Sequence, residues 1–197
     1  MGYCGMVYRV SFKRLGALCG SRAQQLINRL SPDLAGDNDL DDDEDALQGE
    51  PWLSSSEALR RIIMGDSVSP NDAAAYGMAM IALYRYAGYP LDNAPLAPAD
   101  WQHILAVDAA LAAEGVPEAI RLSRLLSGGL PILGLPSPEP FPTLGYIPPE
   151  AVATGRAWHK GFRWFRYPPE LHPPIQFLHR WLQEAAGEEQ GLVGYYA

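Results

Sequence analysis

The stretch NDAAAYGMAMIALYRY, residues 71–86, decides the fold. Wound as a helix, it puts Ala73, Ala74, Ala75, Tyr76, Met78, Ala79, Met80, Ile81, Ala82 and Leu83 on nearly every face. A helix with no wide polar face is surrounded by protein. Its apolar run, Ala73 to Leu83, is too short to cross a bilayer, which takes about 20 residues. Ser69 and Pro70 open it, with proline at the first helical position. This is expected to be the central helix, with Ala75, Met78, Ala79 and Ala82 almost fully buried.

Toward the N-terminus, Ser54 and Glu57 have capping-box spacing before an apolar run, and Gly65 follows it. They predict a helix from about Ser55 to Met64. Tyr3 to Phe12 alternates, with Met6, Tyr8, Val10 and Phe12 on one side and Arg9 and Ser11 on the other. That period of two predicts a half-buried strand. A short helical turn, Lys13 to Cys19, ends at Gly20. Ser21 caps a second helix with Leu26, Ile27 and Leu30 on its apolar face, stopped by Pro32.

Toward the C-terminus, a helix runs from Pro98 to Glu114 with Trp101, Ile104, Leu105, Val107 and Leu111 at core spacing. Pro117 opens another, through Leu126, halted by Gly128 and Gly129. Seven prolines between Pro131 and Pro149 predict extended chain crossing a surface. Leu144 to Ile147 reads as a short edge strand. Pro148 starts a helix through about Lys160, and Pro173 or Pro174 starts the last, through about Ala185. The tail, Leu192 to Tyr196, is apolar enough to be tied down as a strand. The fold class is therefore α+β, helix-dominated: a small sheet or N-terminal strand packed with six or seven helices around a buried central helix. No repeated strand–helix unit suggests a parallel sheet.

At 197 residues the chain fits one domain, spanning 1–197, with an acidic insertion at about 33–50. Nine of its 23 acids lie there, in DLAGDNDLDDDEDALQGE, with no Lys or Arg between Arg29 and Arg60. The rest carries 14 acids against 15 bases, so the formal charge of −8 describes one segment. Hydrophobic content of 48% and charged content of 19% are those of a globular protein. Residues 37–45 are expected to be irregular and mobile without bound metal, since packed like charges repel and only Leu40 can be buried. The N-terminus lacks a basic region followed by an apolar run and a cleavage site, so a cytoplasmic protein without a membrane partner is expected. Cys4 and Cys19 form no CxxC and read as two semi-buried thiols.

The segments YRVSFKRLGALCGS (8–21), AAYGMA (74–79) and FPTLGYIPPEAV (141–152) resemble an uncharacterised family of bacterial proteins, a domain of unknown function. More distantly, the strand-then-helix opening and YIPPEAV resemble the YfbM-like family, also α+β. The resemblance implies fold and transfers no catalytic residue.

Three constellations are candidates for function. Asp39, Asp41, Asp43 and Glu50 fall at positions 1, 3, 5 and 12 of a calcium-loop register, but Glu44 stands where the loop needs glycine. His159, His172 and His179 lie close in sequence with no pair three or four apart, and His103 sits on another helix. No metal and no cofactor are expected. The stretch WHKGFRWFRY, residues 158–167, interleaves five aromatics with Lys160, Arg163 and Arg166, preceded by Arg156. Rings plus cations suit single-stranded nucleic acid, yet four charges are a small footprint. The plainer expectation is that Trp158, Phe162 and Phe165 anchor the C-terminal helices while the cations point outward. A third is that this basic patch holds the acidic stretch. Nucleophile and phosphate-loop motifs are absent.

Two readings of function follow. One is a non-catalytic protein-interaction module, such as an immunity or neutralising protein. It would meet a basic protein partner through Asp39, Asp41, Asp42, Asp43, Glu44 and Asp45, with Arg156, Lys160, Arg163, Trp164 and Arg166 as a ligand or basic patch. The other is an enzyme or small-ligand binder whose site lies in the aromatic and Pro-rich C-terminal half.

Overall fold

The computed structural model describes residues 5–35, 53–96, 100–130, 132–135, 137–138, 142–187 and 189–197. Among these residues four strands form one antiparallel sheet: β1 (Gly5–Ser11), β2 (Tyr89–Pro90), β3 (Thr143–Ile147) and β4 (Gln190–Tyr196), in the order β2-β1-β4-β3. The tail strand is central: β4 pairs with β1 from Gly5↔Tyr196 to Ser11↔Gln190 and with β3 on its other side.

Helices cover both faces of this sheet. On one face lie α1 (Phe12–Leu18), α2 (Gln24–Ala35), α3 (Ser55–Met64) and α4 (Ala73–Ala87), sharing a core with Tyr8, Val10, Leu144, Val193 and Tyr195. On the other lie α5 (Trp101–Ala113), α6 (Leu122–Ser127), α7 (Pro149–Gly155) and α8 (His172–Glu184), around Val7, Ile147, Leu192 and Tyr196. The sheet thus separates two apolar cores. Beyond the alternation of Met6, Tyr8 and Val10, Val7 is buried on the opposite face, so β1 is covered on both sides rather than one. Among the described residues no helix is long and apolar enough to cross a membrane.

Local signals set several boundaries as expected. Ser54 accepts a bond from the Glu57 amide at 3.2 Å, and Gly65 ends α3 at φ 78°. Pro32 does not stop α2, which continues to Ala35. Leu30 and Leu34, one turn apart, are both buried, and that packing holds the last turn across the missing proline donor.

The helix α4 does occupy the centre of its layer, but with a different buried set. Tyr76, Ala79, Met80, Leu83 and Tyr84 are fully buried and Ala82 nearly so, while Ala75 and Met78 are only partly covered. A helix apolar on every side gives no periodicity from which to tell its inner face.

The short helix α6 lies directly against the sheet because β3 and β4 offer it a pair of opposed glycines, Gly145 and Gly194. A Cβ on Gly145 would stand 2.6 Å from the Gly128 nitrogen, and one on Gly194 would stand 2.9 Å from the Leu125 carbonyl oxygen. The N-terminus of α6 has no cap of its own. Asp108, buried on α5, supplies it by accepting from the Leu122 and Ser123 amides at 2.8 and 3.0 Å. Burial raises the Asp108 pKa, against the pull of these bonds.

Candidate functional site

The acidic residues Asp39, Asp41, Asp42, Asp43, Glu44 and Asp45, and the calcium-loop register with them, lie outside the described residues. The basic patch is described, and its members have different surroundings. They sit on consecutive short 3₁₀ turns, Trp158–Gly161, Trp164–Arg166 and Pro169–Leu171, between α7 and α8. Such turns are short and have poorer hydrogen-bond geometry than an α-helix. This segment is instead braced by side chains.

Glu114, His172 and Phe162 do the bracing. Glu114, just past the end of α5, keeps only 5% of its side chain exposed. It accepts from Arg163 Nε at 2.8 Å and from the Tyr167 hydroxyl at 2.9 Å. His172 Nε2 lies 3.1 Å from the carbonyl oxygens of both Trp164 and Tyr167. Both oxygens can only accept, so Nε2 carries the proton. Inside the turn, Phe162 is buried between Trp164 and Tyr167, with ring centroids at 4.6 and 5.4 Å, and Trp158 meets it edge-on at 5.6 Å.

Phe162 and Trp158 are therefore anchors, as the sequence suggests. Phe165 is not: it is 85% exposed, at the apex of the braced turn. The reason is steric. Phe162, Trp164 and Tyr167 already share the space against α5 and α8, and a 3₁₀ turn sends the ring between them outward. Arg156, Lys160 and Arg166 are exposed around it, whereas Arg163 is engaged by Glu114. The five residues of the patch thus divide into three exposed cations, one cation, Arg163, that is paired to the covered Glu114 while still 45% exposed itself, and Trp164, which packs rather than presents its face. Glu114 could not be picked out from the sequence, because it lies 49 residues from Arg163.

The Arg163 guanidinium holds the Glu114 carboxyl below its ordinary range, helped by Tyr167. A depressed carboxylate contributes stability above its unfolded pKa, near 4.5, and loses it as pH falls through the lower folded value. Glu114→Gln should therefore melt below wild type at pH 7, with the difference closing between about pH 5 and pH 3. A difference that stays constant down to pH 3 would remove the ion pair as its cause.

Among the described residues, clefts lie elsewhere too. One, of about 590 Å³, runs between α2 and α4 and includes Arg29, Asp33, Met78, Arg85 and Tyr86. Another, more open, lies beside β3 at Phe12, Tyr146, Pro148, Pro149 and Glu150, with the Lys13–Glu189 ion pair at its rim. Cys19 is free; burial pushes its thiol up to about 11, which keeps it protonated and unreactive at neutral pH. Among the described residues no three His, Cys, Asp or Glu side chains are grouped to hold an ion.

No curated protein and no solved structure matches the chain. A family model does, and it reaches from the first strand to the last. Described as a domain of unknown function, DUF7691, it covers residues 1–197, and the chain belongs to that family.

Proposed function

We propose that the protein is a non-catalytic protein-interaction module, of the kind that immunity and neutralising proteins represent, acting in a bacterial cytoplasm. The observation that carries this reading is Phe165, a phenyl ring 85% exposed on a turn held by Glu114, Arg163 and His172. Exposing a large ring costs hydration free energy, and bracing it removes the entropy that a partner would otherwise have to freeze out. Rigid aromatics beside arginines are what dominates binding at interfaces. The resemblance to bacterial and YfbM-like proteins supports the setting. The acidic stretch supports a second contact, to a basic partner, since nine uncompensated acids outweigh the neighbouring cations in any long-range field. A ligand-binding or enzymatic reading of the C-terminal half would use the more open cleft at Tyr146, Pro148 and Glu150.

A photoreactive phenylalanine analogue at position 165 should cross-link one dominant protein in host cells. The same analogue at Ala17, on α1 across the sheet, should not. Phe165→Ser should abolish recovery of that protein while changing stability by less than about 0.5 kcal/mol. In the same assay, deleting 37–45 should slow association at an unchanged melting temperature. The contact should weaken as salt rises from about 0.05 to 0.5 M and the screening length falls from about 14 to about 4 Å. Equal cross-linking at both positions, or at neither, removes the proposal for Phe165. Unaltered association after the deletion removes it for the acidic residues.

A further inference from the structure

We infer that the cleft between α2 and α4 binds a small amphipathic anion: a carboxylate or phosphate group on an apolar body. The inference goes beyond the interaction reading, because this cleft and Phe165 belong to helical layers on opposite faces of the sheet.

The walls combine two chemistries. Leu30, Leu34, Met78 and Ile81 form an apolar floor, and Met78 is only partly covered although it sits on the most buried helix of its layer. A flexible thioether lining a cleft adapts to irregular apolar ligands. Two arginines whose guanidinium groups are held by rings line the same cleft. Arg29 lies 5.2 Å over the Tyr86 ring. Arg85 donates to the Tyr195 hydroxyl at 3.1 Å and lies 5.9 Å from that ring's centre. Tyr195 is itself fixed by stacking on Tyr8 at 6.3 Å.

Among the described residues neither arginine has a carboxylate within ion-pair distance, Asp33 on the same wall included. Guanidinium forks match carboxylate and phosphate oxygens, and forks already held by aromatic contacts lose little freedom on binding. At about 590 Å³ the space suits a small molecule. The apolar floor selects against a bare inorganic ion, and the two arginines select against a neutral one.

The test is titration calorimetry on the full chain at about 0.05 M salt with octanoate, octyl phosphate, inorganic phosphate and octanol. The anionic amphiphiles should bind at least about tenfold more tightly than octanol, and inorganic phosphate should bind far more weakly than octyl phosphate. Whichever of octanoate and octyl phosphate binds better separates a carboxylate from a phosphate ligand. Arg29→Gln and Arg85→Gln should each weaken the better anion by about tenfold, as losing one charge-assisted contact does. Should Arg85→Gln disturb the fold through Tyr195, Arg29→Gln alone decides. Phe165→Ser should leave the titration unchanged, so this site and the interaction surface fail separately. Equal affinity for octanol, equal affinity for inorganic phosphate, no binding below about 1 mM, or unchanged affinity in both variants would overturn the inference. So would binding that appears only after deletion of residues 37–45, which would assign the arginines to the chain's own acidic stretch.

Discussion

Met80→Asp should leave the protein without a cooperative melting transition, while Met78→Asp, two residues earlier on the same helix, should melt close to wild type. Met80 is fully buried in the core shared by α2, α3, α4 and the sheet. Removing its thioether there costs about 2–5 kcal/mol through lost burial and the space left behind. Among the described residues no cation is buried in that core, so the carboxyl that replaces it must be protonated or lose its hydration, at a further cost of several kcal/mol. The sum is comparable to the whole stability of an ordinary domain, about 5–15 kcal/mol. Met78 opens instead onto the cleft beside Arg29 and Arg85, where an aspartate stays hydrated and has cations near it. Circular dichroism melts of the two variants decide the matter. Equal destabilisation would mean that α4 is rotated about its axis so that Met78 also faces the core.

Gly145→Ala should destabilise the protein by about 3 kcal/mol or more, the upper range for forcing a methyl group into a filled space. The added Cβ meets backbone: the Arg124 carbonyl oxygen, and the Gly128 nitrogen at 2.6 Å. Backbone cannot rotate away as a side-chain tip can. Thus α6 must lift from the sheet, dragging Leu122, Leu125 and Leu126 out of the second core. At about 2–4 °C per kcal/mol for a chain of this length, the melting temperature should fall by roughly 10 °C. Gly16→Ala is the control. A Cβ at Gly16 meets nothing within 4 Å and the position is helical, so alanine should be neutral or stabilise by up to about 1 kcal/mol. If both alanines behave alike, the close seating of α6 on the glycine pair is not what holds that layer.

Signals that act within one turn or one pleat were readable in the chain alone. The Ser54–Glu57 cap, the αL stop at Gly65 and the alternation of Met6, Tyr8 and Val10 depend on neighbours a few residues away, and all three stand where local chemistry puts them. The helix-dominated α+β class, the prolines that start α7 and lie in the first turn of α8, and the strand character of the tail followed from the same kind of reading. The division into two cores is of another order. Residues 5–11 pair with 190–196, and no spacing rule links segments at that separation. The same holds for Asp108 capping α6, for Glu114 reaching Arg163, and for Arg29 and Arg85 coming to one cleft.

Phe165 and Met78 mark the limit most sharply, since both are apolar residues in apolar or aromatic runs and both lie outside the core. Hydrophobicity alone says that such a side chain gains by burial; it does not say which of several competitors takes the available volume. In the 158–167 turn Phe162 and Trp158 took it, and on α4 the ring of Tyr76 and the side chain of Met80 did. The sequence by itself determined most helix starts, the strand character of 5–11, 143–147 and 190–196, and the charge of the acidic stretch. It did not show that α2 runs past Pro32 to Ala35, or that the helix expected from Pro148 through about Lys160 ends at Gly155 and gives way to 3₁₀ turns. Only the tertiary structure decided which apolar groups are left at the surface, because that choice is made by close packing between segments far apart in the chain.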